Sequence, residues 1–395
     1  MNLNSSRESV EFQLLCLAVR PVPDLAAIAG AIGGLGAQSR LVEFAAGHGV
    51  RPALLRCLSA LDWQGVPAGA RAALESFGRH HLVASLAIAE DLGRIADTLD
   101  VAGIPFASFK GPTLAVALYG DLAAREFEDI DLLVPADHVQ RAESVLAQLG
   151  YACGRGEVER DRGFRRAFVA WQGQYELRRA GHATAIDLHW QLGAAYLPFP
   201  LAADRVWDRL TGVAVGRRAV PSLAGAELAL LLAGHGTKEG WHRLKWVADF
   251  AWFAHRHPEL DWSAVLQQAH ARRSAISVLL AWAVADNLLQ APPPPAIAAA
   301  LAASPRARAL ADSLTAALRS TAVLEERRHL SDLILCDRPI DKARAVMWLA
   351  ATPTVGDYRA LPLPRRAWPI YRLTRPLRLV GEAAASLLRR RREIH

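Results

Sequence analysis

At 395 residues, with a 52% apolar fraction and mean hydropathy of +0.12, the chain is long enough for two or three packed units with real cores. Its apolar residues are mostly alanine and leucine at helical spacing, and no uninterrupted apolar run reaches membrane length, so a transmembrane segment is excluded; Leu228 to Leu232 is too short to cross a bilayer. A formal charge of +7 and a pI near 9.6 favour anionic partners, and Cys16, Cys57, Cys153 and Cys336 are too scattered for a zinc site or a disulfide frame.

The N-terminus, M-N-L-N-S-S-R-E-S-V-E-F, lacks the charged-then-apolar layout of a secretion signal, which makes the cytoplasm the expected location. Residues 1–98 read as a helical region. Phe12 to Val19, Ala26 to Ile32, Ser39 to His48, Arg51 to Leu61 and Arg71 to Leu99 repeat apolar residues every three or four positions, between Pro and Gly breaks. The glycines of A-G-A-I-G-G-L-G-A follow no strand and do not match G-x-G-x-x-G, so they read as a helix end and turn.

Residues 99–218 change character. Strand Ile104–Phe109, a turn at Lys110-Gly111-Pro112, helix Thr113–Leu118, strand Phe127–Val134, helix Ala136–Leu149 with Gly150 as its C-cap, and strand-like stretches Arg166–Arg178 and Ala183–Trp190 predict a small mixed sheet. The loop from Gly154 to Gly163 reads as solvated, and Arg165, Arg166, Arg178 and Arg179 read as charges discouraging pairing along an open strand edge, with substrate binding as their other reading.

Within this unit Asp129 and Asp131 stand two residues apart in an apolar strand, so both side chains leave one face. Two readings fit: a strand-end pair in water, or a site where a divalent cation offsets their repulsion, since Mg²⁺ takes one or two carboxylates together with waters and phosphates. Asp187, alone in the middle of A-T-A-I-D-L-H-W, would complete a three-carboxylate cluster if its strand pairs beside Asp131, with His189 on the same face. Lys110 and Gly111, at the start of the helix after the first strand, form a candidate anion site.

Strand, turn and helix, then hydrophobic-D-x-D-hydrophobic and a later lone strand aspartate, resemble the nucleotidyltransferase superfamily that includes polymerase beta and antibiotic nucleotidyltransferases. More narrowly, F-K-G-P-T-L-A, L-Y-G-D-L-A-A-R, D-I-D-L-L-V, I-D-L-H-W and H-G-T-K-E-G-W-H-R-L-K-W-V-A-D look like the bacterial uncharacterised nucleotidyltransferase family, from about Ile104 through Asp249 and into T-P-T-V-G-D-Y-R-A-L-P-L-P and R-P-L-R-L. The superfamily's Gly-Gly or Gly-Ser pair is here Lys110-Gly111. The resemblance implies an α+β fold in which helical regions flank a small mixed-sheet core. It also implies an enzyme that uses two Mg²⁺ ions to move a nucleoside monophosphate from an NTP to an acceptor. Asp129, Asp131 and Asp187 would be catalytic and metal-binding. Lys110, Gly111 and Arg125 would meet the nucleotide, Arg125 by resemblance alone, with a structural salt bridge as its other reading.

Residues 219–330 return to helix and are expected to close the nucleotide cleft. In Ala226 to His257 the polar positions His235, Lys238, His242, Lys245 and Asp249 step by three and four residues, which on one continuous helix makes a single stripe. Lys238 and Lys245 would then meet triphosphate oxygens beside His235, with Asp249 fixing a lysine or histidine; the alternative is a plain exposed face, and Gly236 and Gly240 are possible breaks. Pro292 to Pro295 is a stiff separator. Residues 331–395 form a basic, proline-punctuated segment in which Arg365, Arg366, Arg372, Arg375, Arg378 and Arg389 to Arg392 alternate with Trp368, Ile370, Tyr371, Leu373, Leu377 and Leu379. That segment fits an anionic membrane, RNA, or the protein's own acidic surface. The acceptor class stays open among small molecules, peptides or proteins, and RNA. Two further functions stay open as well: a nucleotide sensor without catalysis, and an RNA-modifying transferase.

Overall fold

The runs of branched and aromatic residues that suggested strands do pair, and the breaks between them decide where each strand stops. The computed structural model describes residues 9–36, 40–153, 173–182, 184–194, 196–319, 333 and 336–381. Helices α1 (Val10–Ala18), α2 (Leu25–Ile32), α3 (Leu41–His48), α4 (Arg51–Ala60) and α5 (Ala68–Val101) come first. Ser9 and Asp24 cap α1 and α2 by accepting the backbone N–H three residues on, at 3.1 and 3.0 Å.

The sheet follows: β1 (Ala107–Ser108), α6 (Gly111–Tyr119), β2 (Asp129–Leu133), α7 (Val139–Leu146), β3 (Tyr151–Ala152), β4 (Gln174–Arg179) and β5 (Ala185–His189). Strand order is β1-β2-β5-β4-β3, parallel only between β2 and β5, so the sheet is mixed and the fold is α+β as expected. The first two strands are shorter than predicted. Pro105 has no N–H for the ladder and Pro135 closes the far end of β2. Helix α7 is also shorter, giving way to a 3₁₀ turn, Ala147–Leu149, that ends on Gly150 at φ 85°. Arg178 and Arg179 do not guard an open edge, because β3 pairs with them. The predicted loop 154–163, Arg165 and Arg166 lie outside the described residues.

A hairpin that the sequence reading had not anticipated, β6 (Thr211–Val215) and β7 (Arg218–Ser222), turns over two residues with Gly216 at φ 61°. Helices α8 (Gly225–Lys238), α9 (Leu244–Arg256), α10 (Trp262–Ala271), α11 (Ala275–Leu289), α12 (Pro295–Ala302), α13 (Pro305–Arg319), α14 (Pro339–Ala351) and α15 (Val355–Ala360) follow among the described residues, with a further helical stretch at 371–381.

The single helix expected over Ala226 to His257 is two. Gly240 (φ 62°) and Trp241 (φ 51°) take left-handed backbone, and the fully buried Trp241 ring folds back over Gly236, where a Cβ would come within 2.4 Å of it.

Among the described residues two large cores hold most of these pieces, and a small cluster of Leu197, Cys336 and Ala345 anchors α14. One joins α1 to α4 with α8 to α13; the other lies between the sheet, α5 and α7. Strand alternation assigns the faces: Ile130, Leu132, Ile186 and Leu188 enter the second core, leaving Asp129, Asp131 and Asp187 to the opposite side. No disulfide joins the four cysteines, and among the described residues no helix is long and apolar enough to cross a membrane.

Candidate active site

Register brings the acids together. Asp131 of β2 stands opposite Asp187 of β5, and Asp129 lies one pair along the same face of the parallel ladder. The condition set by the sequence, that Asp187 share a face with the D-x-D pair, is met.

Asp131 is 4% exposed, which would be untenable for a lone carboxylate. Its Oδ1 accepts from Lys110 Nζ at 3.0 Å and from His189 Nε2 at 3.1 Å. Burial works to raise this carboxyl, but Lys110 and the His189 hydrogen bond outweigh it and hold it well below the usual carboxylate range. An ionised carboxylate only accepts, so Nε2 of His189 carries the proton. Burial keeps that ring neutral against the pull of Asp131, and its Nδ1 is buried without a partner. Asp187 is pushed to about 6 by burial and then by Asp131 and Asp129; Asp129 is raised by burial and by Asp131.

A group of carboxylates that resists full ionisation is short of positive charge, and the donor set here fits a cation. Asp131, Asp187 and His189 each offer a ligand atom, all within 4.8 Å of one another, His189 only through a ring nitrogen that carries no proton. Among the described residues that tight group holds His189, while Asp129 stands beside it on the cleft wall. The sequence flagged His189 only as sharing the face of Asp187.

The turn before α6 is built against β2. Lys110 is the N-cap residue of α6, and Gly111 has φ 54°; a Cβ there would approach the Asp129 carbonyl oxygen to 2.7 Å. Glycine is therefore required both by the backbone and by the closeness of the strand. It leaves the start of α6 and the Lys110 ammonium beside the acids.

The facing wall comes from α8 and α9. His235, Lys238 and Lys245 reach the same cleft of about 620 Å³ as Lys110, Gly111, Arg125 and the three aspartates, despite the break between the helices. Burial lowers Lys245 to about 8, with Arg125 adding to the effect, and burial takes His235 well below its ordinary value.

Asp249 does not hold a lysine or histidine. It is buried beneath the cleft, taking Arg125 Nε at 3.0 and 3.1 Å on its two oxygens and the Tyr119 hydroxyl at 2.9 Å. Arg125 is therefore in a buried salt bridge, the second of its two sequence readings, and it also lines the cleft.

Two contributions of the N-terminal helices escaped sequence reasoning. Arg51 at the start of α4 gives both its backbone N–H and its guanidinium to Glu126, and both residues line the cleft. Gly49, at φ 66°, leaves room for the Lys245 stem, whose Cδ would be 2.7 Å from a Cβ there. No local pattern signals a pair 75 residues apart.

Acids on a strand pair, a glycine turn at a helix start and a basic wall line one cleft. The model of the uncharacterised nucleotidyltransferase family matches residues 36–290, and the chain belongs to that family. Membership points to nucleotidyl transfer as the reaction class. No curated protein and no solved structure matches the chain.

Proposed function

We propose that the chain moves a nucleoside monophosphate from an NTP to an acceptor hydroxyl or similar nucleophile, with release of pyrophosphate. The observation that carries this reading is the convergence of Asp129, Asp131 and Asp187 on one face of β2 and β5, opposite His235, Lys238 and Lys245.

Asp131 and Asp187, with Asp129 or His189 alongside, would hold divalent cations, Mg²⁺ by the hardness of the carboxylate oxygens, and these would supply charge stabilisation to the attacking and leaving oxygens. The protein's own groups do the positioning. Lys110, the Gly111 amide and the start of α6 face the phosphates, and Lys238, Lys245 and Arg125 add cationic contacts. An acceptor oxygen attacks the α-phosphorus, the bond to the β-phosphate bridging oxygen breaks, pyrophosphate leaves, and Asp187 takes the acceptor's proton.

The test is incubation of the purified chain with each α-labelled NTP and cell extract, reading pyrophosphate release and mass-tagged product together. Label transfer that disappears in Asp129→Asn and Asp131→Asn, both still folded, supports the assignment. Nucleotide binding without release in any extract replaces it with the sensor reading, for which the exchange of the superfamily's glycine pair for Lys110-Gly111 is the motive.

A further inference from the structure

The C-terminal helix at 371–381 is fastened by one face and bare on another. Tyr371 and Arg375 are buried. The Tyr371 hydroxyl donates to the Leu361 carbonyl at 2.6 Å and accepts from the Leu363 N–H at 2.9 Å. Arg375 donates to the Leu349 carbonyl at 2.6 Å and to Asp357 at 2.7 Å, and Arg378 donates to the other Asp357 oxygen at 2.7 Å. Asp357 is itself fixed in the capping box of α15.

Against that fixed face, Ile370, Leu373, Leu377 and Val380 are 46%, 74%, 74% and 69% exposed. At about 100° per residue the side chains of Leu373, Leu377 and Val380 fall within an arc of about 60°, one continuous apolar stripe that Ile370 extends from the 3₁₀ turn before the helix. It is exposed because the helix is docked with this side outward, since the arginines that hold it use the other side.

We infer that this stripe is a docking face for an anionic lipid bilayer, entered at the headgroup boundary by Leu373, Leu377 and Val380. Charge selects the occupant. Arg366 and Arg372 are exposed, and the sequence beyond 381 continues with Arg389 to Arg392 against only Glu382 and Glu393. The exposed Arg366 and Arg372 beside a single aliphatic stripe on a helix meet the requirements for lying in the interface of an anionic membrane. Aliphatic side chains offer RNA no stacking surface, and a second copy docked on the same stripe would set arginines against arginines. The inference is independent of the nucleotide chemistry.

The experiment is flotation of the full chain with vesicles of phosphatidylcholine alone and of phosphatidylcholine mixed with phosphatidylglycerol. The full chain is expected to float with the anionic vesicles and not with the neutral ones. The double variant L373E/L377E, checked for an unchanged melting curve, is expected to lose about tenfold of its bound fraction. Equal flotation on both vesicles, no flotation, or undiminished flotation of the double variant overturns the inference. So does a dimer, seen by analytical ultracentrifugation, that the double variant dissociates while vesicles bind neither protein; the stripe is then a contact between copies. Flotation lost only on neutralising Arg389 to Arg392, and kept by L373E/L377E, also overturns it, because the helix face is then uninvolved.

Discussion

The two walls of the cleft are built on opposite plans. The sheet wall takes its acids from adjacent, hydrogen-bonded strands, where register fixes Asp131 against Asp187 and the backbone leaves little freedom. The helix wall takes its bases from two helices separated by a left-handed turn, so His235 and Lys238 are placed by one packing interface and Lys245 by another. Rigid placement suits groups that must share a cation, and long lysines on helices suit phosphates that can be met over a range of positions. The sharpest break of this comparison is loss of the sheet wall alone. Asp187→Asn is expected to cut label transfer on the order of 10³-fold, several kcal/mol of transition-state stabilisation, with an unchanged melting curve. A fall of less than tenfold would place the chemistry elsewhere.

Next in size is the girder beneath the helix wall. Asp249 and Arg125 are both buried, and the pair is closed by the Tyr119 hydroxyl. Asp249→Asn leaves the guanidinium charge without its counter-ion and is expected to cost roughly 3 kcal/mol, read from the urea midpoint. Adding Arg125→Met should recover much of that loss, because removing both charges is milder than stranding one. Additive losses in the double variant would mean that Arg125 stabilises the fold through other contacts.

The sheet wall was legible in the sequence because its signal is local. A period of two puts Asp129 and Asp131 on one face, and a lone aspartate in an apolar run marks the neighbouring strand. Lys110-Gly111 was legible for the same reason, as strand, turn and helix in succession. The helix wall was half legible. Its steps of three and four picked out His235, Lys238 and Lys245, but the stripe depended on a continuous helix that Gly240 and Trp241 interrupt. That the residues still converge is owed to tertiary packing, which periodicity does not encode. The pairing of Arg51 with Glu126, the fit of Gly49 to Lys245 and the docking of α1 to α4 onto α8 to α13 belong to the same unseen class. A smaller effect sharpens the local part. Gly111→Ala forces left-handed backbone on a residue with a Cβ and presses it on the Asp129 carbonyl, for an expected loss of roughly 2 kcal/mol in denaturant melts. Turnover should fall by more than that loss explains, because the strand end carrying Asp129 must move.

The smallest expected effect belongs to Lys245 and is read through pH. Burial lowers this ammonium to about 8, helped by Arg125 and Arg243 and opposed by Asp249 and Asp129. Between pH 8 and its ordinary value of 10.5 the unfolded chain keeps a proton that the folded site gives up, so the stability linked to this group is fully present above 10.5 and is lost as pH falls through 8. Nucleotide binding runs in the opposite direction. A phosphate oxygen favours the charged ammonium, so binding above pH 8 takes up a proton; affinity should be level between pH 7 and 8, above the range near 6 where Asp187 titrates, and then weaken by at most about tenfold per pH unit. Calorimetry with an NTP in buffers of different ionisation enthalpy would show that proton uptake, and Lys245→Met should abolish it. An unchanged proton count in the variant would reduce Lys245 to a structural part of the wall.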